Sequence, residues 1–155
     1  MGCEFILLKQ TPDGIRSAAM DFDNAIEKMN VDKLLEFFSE DCEVIVLNEI
    51  LKGKDGARKF FDWLFANVIK IKFEPVNIIV ENDVFFEEFI VKAKLPDGTS
   101  VVSNQAEVLV YENYKIKSLR LYLDRLDFAN AIATDFISKG IIKTIIKRSL
   151  KGLRE

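Results

Sequence analysis

Residues 34–47 read LLEFFSEDCEVIVL, and residues 51–68 read LKGKDGARKFFDWLFANV. In the first stretch, helical spacing of apolar residues gives way to the β-branched run EVIVL, which predicts a helix followed by a short strand. In the second, two glycines bound a turn ahead of a segment that is apolar on more than one helical face, which predicts a well-buried helix. This order of elements indicates an α+β domain.

The segments on either side extend this pattern. Upstream, apolar residues recur at helical spacing from Ser17, and Asn30 divides that helix from a second helical piece. Downstream, four β-type runs begin near Phe73, and long runs joined by short turns predict an antiparallel meander. The turn signals that separate these runs lie at residues 81–83, 96–99 and 112–114.

Composition limits the classes of function. The 155 residues are 49% hydrophobic and include 13 Phe, enough for one domain with a sizeable core. The formal charge of −3 argues against a nucleic-acid partner. The absence of His removes His-assisted nucleophiles and His metal ligands, so we expect no metal and no cofactor. Any general acid or base must then be an Asp, Glu, Lys, Tyr or Cys residue.

The cysteines and the termini bear on localisation. Cys3 and Cys42 lack metal-ligand spacing and are interpreted as unpaired thiols of a reducing compartment. We see neither a signal-peptide pattern nor an apolar run of membrane-spanning length, so we expect a cytoplasmic protein. The run FILL at residues 5–8 is interpreted as an edge strand or a docked tail.

The order of elements resembles the cone-shaped fold of the nuclear transport factor two superfamily, and within it the SnoaL-like proteins. The resemblance covers about residues 18–126 and includes the acidic pair Glu40-Asp41, the glycine before the second helix and the pattern Tyr122-x-Asp124. It implies a single α+β domain over residues 1–155, with a curved antiparallel sheet wrapped around helices and a deep pocket between them. The superfamily holds enzymes, ligand binders and interaction modules, so the resemblance predicts an architecture and not a reaction.

Two enzymes of this fold can be compared residue by residue. Ketosteroid isomerase uses a helical Tyr and two Asp on strands, and these positions fall on Phe22, Val46 and Ala106. Limonene epoxide hydrolase uses an Asp–Arg–Asp set, and the nearest match to its last-strand Asp is Leu121. Apolar side chains cannot exchange a proton. The comparison therefore favours a protein that binds a small apolar molecule in the cone without these catalytic groups.

Alternation along the strands predicts which side chains face that pocket. Phe85, Glu87 and Ala93 should share the inner face of one strand, and the leucines of the last strand should also point inward. Trp63 offers a further wall. The predicted ligand-binding residues are Phe22, Val46, Trp63, Glu87, Phe89, Val91, Asn104, Ala106, Leu119, Leu121 and Leu123. On the strand that carries Asn104, the same prediction adds Val102, Val108 and Val110.

Glu87 is the predicted catalytic residue in the alternative hypothesis of an enzyme. A carboxylate among Phe side chains is disfavoured as an anion, so its pKa should rise, which suits a general acid or base. An isomerase, cyclase or hydrolase-like enzyme could use Glu87, with Asn104 orienting the substrate. An explanation without catalysis also stays open, in which Glu87 is a solvated carboxylate at the pocket rim or one partner of an ion pair.

The outer sheet face is the predicted site of a homodimer. Arg120 and Tyr122 alternate with the inward leucines, and interface cores favour Tyr and Arg. The other residues placed on this outer face are Ser103, Gln105, Glu107 and Tyr111.

A helical extension over about residues 128–155 follows the core. Within it, residues 134–154 form a basic amphipathic pattern, with Lys at positions 139, 143, 147 and 151. Three hypotheses stay open for this helix. It could pack on the domain or a second subunit, bind a membrane surface, or dock a partner protein as an interaction module.

Overall fold

The computed structural model describes residues 9–154, so FILL and Cys3 lie outside the described residues. The elements, in chain order, are α1 (Pro12–Glu27), α2 (Val31–Leu35), β1 (Phe38–Val46), β2 (Glu49–Lys52), α3 (Gly53–Asn67), β3 (Lys70–Glu81), β4 (Val84–Lys94), β5 (Ser100–Glu112), β6 (Lys115–Leu123), α4 (Arg125–Ile132) and α5 (Phe136–Ser149).

The six strands form one curved, unclosed sheet in the order β2-β1-β6-β5-β4-β3. All neighbouring strands are antiparallel except β1 and β6, which pair in parallel. The predicted α+β class and the predicted meander of β3 to β6 are confirmed. The short strand β2, which forms a hairpin with β1, lies where we expected only a turn.

Helix α1 begins before Ser17, where helical spacing was first visible, because TPDG at residues 11–14 forms the start of the helix. The Thr11 side chain accepts a hydrogen bond from the Gly14 N–H at 3.1 Å, and Pro12 occupies the first helical position, where its missing N–H costs nothing. The helix lays its buried face on the sheet. The buried residues of this face are Ile15, Ala19, Phe22, Ala25 and Ile26.

Three phenylalanines from α1, β1 and α3 form the centre of the core. The ring centroids of Phe22, Phe38 and Phe61 lie 5.6–6.1 Å apart with near-perpendicular planes, the edge-to-face geometry that aromatic rings prefer. Phe38 starts β1, so the strand begins ahead of the predicted run EVIVL and the second helical piece ends at Leu35. The predicted burial of α3 holds for Phe60 and Phe61, whereas Trp63 is 45% exposed.

Strand β5 presents to the core the face opposite to the predicted one. The connection from β4 contains five residues, 95–99, so Lys94 pairs with Ser100. A four-residue turn at 96–99 would have paired Leu95 with Ser100, and a shift of one residue turns every side chain to the other face. Asn104 is therefore exposed and Ala106 half-buried on the outer face. The residues on the buried face are Val101, Ser103, Gln105, Glu107, Leu109 and Tyr111.

Two further assignments on this strand were wrong for the same reason. Val102, Val108 and Val110 point outward and not into the pocket. The set that we expected at a dimer interface, Ser103, Gln105, Glu107 and Tyr111, points inward. Arg120 and Tyr122 of β6 do face outward, and Leu119, Leu121 and Leu123 face inward, as predicted.

The C-terminal extension forms two helices. Asp124 caps α4 by accepting a hydrogen bond from the Leu126 N–H, and the Ser103 hydroxyl donates to the Asp127 carboxylate at 2.7 Å, which holds α4 against β5. Asp135 caps α5. None of the described helices is long and apolar enough to cross a membrane.

Candidate active site

A cavity of about 580 Å³ lies between α3, α4 and the inner faces of strands β3 to β6. Its walls are mainly hydrocarbon, supplied by side chains such as Phe73, Phe89 and Leu121. This volume suits a small organic molecule, and an apolar wall favours an apolar one. Six of the predicted binding residues line the cavity: Trp63, Phe89, Val91, Leu119, Leu121 and Leu123.

The other predicted binding residues lie elsewhere. Phe22 belongs to the three-ring core, and Val46 is buried opposite Leu121 on the neighbouring strand. Neither is among the described residues that line the cavity, and the predicted catalytic residue Glu87, although buried on the inner face, is not among them either. Asn104 and Ala106 face outward, so the predicted roles of these two residues as pocket contacts were wrong.

Two polar side chains of β5, Gln105 and Glu107, line the cavity while almost fully buried. The remaining polar residues in the lining, Asn67, Asp97 and Arg125, are exposed. Gln105 and Glu107 are two positions apart on one strand face, so their Cα atoms are roughly 6.5 Å apart. The buried part of the cavity therefore offers an amide and a carboxyl group within reach of one bound molecule.

Glu107 belongs to a cluster of three carboxyl groups, which we call the carboxyl cluster: Asp23 of α1, Glu87 of β4 and Glu107 of β5. Glu87 and Glu107 pair directly across the two strands, which brings their side chains together on the inner face. One carboxyl oxygen from each of the three residues lies within 4.8 Å of the other two. Glu87 is 1% exposed and Glu107 5%, whereas Asp23 is half-buried.

The cluster lacks compensating groups among the described residues. The Oε1 atoms of Glu87 and Glu107 and the hydroxyl of Tyr111 are buried without a hydrogen-bond partner there. None of the described salt bridges involves the cluster. Three carboxylates at this spacing, two of them buried, would repel one another strongly, because the low dielectric of the interior screens charge poorly. Protonation is the simplest way to relieve that repulsion.

The pKa values shift in the direction that this argument requires. Burial raises the pKa of Asp23 to about 9, and the charges of Glu107 and Glu87 add to the effect. Burial raises the pKa of Glu107 to about 8, with Glu87 adding to it. Burial also raises the pKa of Glu87, although a hydrogen bond with Asp23 opposes the rise. The Tyr111 pKa is raised by burial and by the same carboxylates. At neutral pH the carboxyl cluster therefore retains protons.

A cluster of this kind could also hold a hard divalent cation, because each residue offers one carboxylate oxygen. Cation binding and protonation relieve the same repulsion. Our expectation that the protein uses no metal stays a prediction.

Glu87 lies on the inner face as predicted, whereas its two partners, Asp23 and Glu107, were not predicted to lie beside it. Asp23 could have been found, because it lies four residues after the buried Ala19 and three before the buried Ile26, on the face of α1 that meets the sheet. Glu107 was placed on the outer face because the predicted register of β5 was wrong by one residue. A five-residue connection after β4 would have placed it opposite Glu87.

Comparisons with known proteins agree with this architecture. A family model described as a SnoaL-like domain matches residues 19–119. No curated protein matches the sequence significantly. The solved structures that resemble the chain include SalBIII, described as an epoxide hydrolase/cyclase-like enzyme in pyran ring formation in the polyether salinomycin. It is 18% identical, covers 74% of this chain and 94% of its own, and has a TM-score of 0.65.

Two more solved structures show the same likeness. An NTF2-like protein from Burkholderia xenovorans LB400 is 18% identical and covers 79% of this chain and 98% of its own, with a TM-score of 0.67. TerC, crystallised with polyporic acid, is 13% identical and covers 74% and 95%, with a TM-score of 0.66. Identities this low show the fold alone. The family match, which spans well over half of the sequence, shows that the chain belongs to the SnoaL-like domain family.

Proposed function

We propose that the protein is an acid–base enzyme that isomerises or cyclises a small, mostly apolar molecule, with the Glu107 carboxyl as the group that exchanges a proton. One observation carries the proposal. A carboxyl group with a pKa of about 8 lines the buried part of an apolar cavity of about 580 Å³. A general acid or base works best when its pKa lies near the operating pH, and burial among neighbouring carboxyls supplies that value here.

The cavity indicates the class of substrate. Its hydrocarbon walls favour a molecule with a large apolar surface, and the buried carboxyl cluster disfavours an anion. Gln105 adds an amide N–H near Glu107, which suits one carbonyl oxygen on the bound molecule. We therefore propose a neutral compound with a carbonyl group next to an acidic C–H bond.

The proposed chemistry uses Glu107 in both protonation states. As a carboxylate, Glu107 removes a proton from the carbon beside the carbonyl, and the electron pair moves into an enolate that the Gln105 N–H stabilises. The protonated Glu107 then returns the proton to another atom, which completes an isomerisation. Alternatively, the enolate carbon attacks a second carbonyl in the same molecule, and Glu107 protonates the new alkoxide, which closes a ring. Burial, together with the charge of Glu87, keeps the pKa of Glu107 high.

The relatives are consistent with this class of substrate. SalBIII is described as acting in pyran ring formation, and TerC was crystallised with polyporic acid, so proteins of this fold handle small organic molecules. At 18% and 13% identity neither relative names the substrate here.

Deuterium exchange tests the proposal without knowledge of the product. A panel of neutral apolar ketones and diketones is incubated with the protein in D2O, and loss of the proton signal beside the carbonyl is followed by NMR. We expect wild-type protein to accelerate the exchange for part of the panel. Glu107→Gln should lower that rate roughly 100-fold or more, the usual contribution of a general acid or base. Glu88→Gln is the matched control, because Glu88 is the exposed neighbour of Glu87 on β4.

A second candidate function is binding without turnover. It is favoured by the sequence comparison with ketosteroid isomerase, which matches the apolar residues Phe22 and Val46 to two of its catalytic groups; Ala106, matched to the third, faces outward. In this case no compound of the panel exchanges faster than in buffer, although some bind. Glu107→Gln should then leave the affinity for a neutral apolar ligand unchanged or improve it, because a group that is costly to bury has been made neutral. That pair of results would exclude the enzyme.

A further inference from the structure

Within residues 9–154, no element covers one apolar stripe of helix α5. Ile137, Ile141 and Ile145 recur every four residues, so they lie along one side of the helix. Their exposed fractions are 73%, 55% and 48%, and Phe136 at the start of the helix is 93% exposed. Large apolar side chains that are exposed together, and not scattered singly, mark a contact surface.

The opposite side of α5 faces the domain. Ile142, Ile146 and Leu150 are half-buried, and the last two line a surface groove together with Val101 and Val102 of β5. The helix therefore already has one face against its own domain. This leaves the stripe of Ile137, Ile141 and Ile145 available on the solvent side.

The same segment carries a strong positive charge. Residues 136–154 contain six of the 22 Lys and Arg of the chain and none of its 25 Asp and Glu, whereas the whole chain has a formal charge of −3. Charge is thus sharply separated along the molecule, with a cationic end on an otherwise acidic protein. The six cationic residues are Lys139, Lys143, Lys147, Arg148, Lys151 and Arg154.

The uncovered surface begins at the cavity. Ile132, the last residue of α4, lines the cavity and is 68% exposed. Phe136 and Ile137 follow only four and five residues later. We call the exposed apolar side chains of this segment the C-terminal patch: Ile132, Phe136, Ile137, Ile141, Ile145 and Leu153.

We propose that the C-terminal patch docks on the surface of an anionic membrane, with α5 lying in the plane of the interface. A helix with exposed aliphatic side chains, surrounding Lys and Arg, and too little apolar length to cross a bilayer has the character of an interfacial helix. The apolar side chains enter the boundary of the acyl chains, while the cations contact anionic headgroups. In this position the exposed cavity residue Ile132 lies beside the apolar interior of the bilayer, where apolar molecules dissolve.

Charge argues against a second copy of the chain as the occupant. Two copies that met patch to patch would bring two segments of charge +6 together without any acidic residue between them. An anionic bilayer instead satisfies both properties of the patch, since it offers negative charge and an apolar interior at one surface.

Vesicle co-sedimentation tests the proposal with the intact chain. We expect binding to vesicles of equal parts phosphatidylglycerol and phosphatidylcholine, little binding to pure phosphatidylcholine, and weaker binding as salt is raised. The variants Ile137→Ser/Ile141→Ser/Ile145→Ser and Lys143→Glu/Lys147→Glu should each lower the vesicle affinity roughly tenfold or more. Circular dichroism should show that both variants keep their helices.

Matched controls lie on the body of the protein. Ile79→Ser removes an Ile that is 58% exposed on β3, and Lys28→Glu/Lys59→Glu reverses two exposed lysines outside the patch. Both controls should bind vesicles nearly as well as the wild type. Failure of the intact protein to bind anionic vesicles overturns the proposal, as does equal binding to pure phosphatidylcholine. An oligomer that the Ile→Ser variant dissociates would show that a second copy covers the patch, and would overturn it as well.

Discussion

The buried carboxyl cluster predicts an unusual dependence of stability on pH. Asp23 and Glu107 have pKa values of about 9 and about 8 in the folded protein, against ordinary values of 3.8 and 4.5. Between the ordinary and the raised pKa, the folded state binds more protons than the unfolded state. The free energy of unfolding must then fall as pH rises through this window, which runs from pH 4.5 to about 8 for Glu107 and from pH 3.8 to about 9 for Asp23.

The size of the effect follows from the shift at Glu107. Each pKa unit corresponds to about 1.4 kcal/mol, so at pH 7 the raised pKa of Glu107 costs on the order of 3 kcal/mol relative to pH 4.5. This is an upper bound for one residue, because the three carboxyls share protons. Glu36, Asp41, Asp97 and Asp135 have lowered pKa values, so their contribution to stability is lost only in more acidic solution.

Urea unfolding between pH 5 and pH 8 measures this effect. We expect wild-type stability to decrease by several kcal/mol across the range, and Glu107→Gln to flatten the decrease and to be more stable than the wild type at pH 8. Glu88→Gln should follow the wild-type curve, because Glu88 is exposed. A wild-type stability that is constant or rises from pH 5 to pH 8 would refute the reasoning about the carboxyl cluster.

Two further predictions concern packing and assembly. Gly56→Ala should destabilise the protein by roughly 1–3 kcal/mol in thermal melts, because a Cβ there would lie 2.6 Å from the Leu51 carbonyl carbon. The control Gly140→Ala, where nothing lies within 4 Å of the added Cβ, should be neutral or slightly stabilising. We also expect a homodimer through the outer sheet face, where Tyr122 is 57% exposed, so light scattering at micromolar protein should give about twice the 17.8 kDa chain mass. Tyr122→Asp should lower that mass, and a wild-type monomer would contradict the prediction.

Much of the fold could be predicted because local chemistry and tertiary packing agree in this chain. The helix over residues 53–67, the turn signals between the long strands and the inward leucines of β6 were all visible from spacing and turn residues. The register of β5 against β4 could not be predicted in this way, since both faces of β5 carry apolar residues. The outer face holds Val102, Val108 and Val110, more apolar than the true inner face. Hydrophobic alternation therefore selected the wrong side.

The candidate site escaped prediction for the same physical reason. An inner strand face normally carries apolar residues, so the face with Ser103, Gln105 and Glu107 was assigned to the outer side of the sheet. In this strand the rule fails where polar side chains line the cavity. A sequence that is otherwise consistent with its fold is expected to break local rules mainly at functional sites.

Burial of the carboxyl cluster lowers the stability of the fold, and this loss of stability points to a function. Leu or Met at positions 87 and 107 would fill the same space without desolvating a carboxyl group, and such replacements of buried charge are often neutral or stabilising. The fold thus has no need of these acids, yet three of them converge beside an apolar cavity from α1, β4 and β5. A Glu107→Gln variant that is more stable than the wild type and no longer exchanges the substrate proton would show that stability has been given up for chemistry. One that is more stable and equally active would separate the cluster from the reaction and leave its cost without a function.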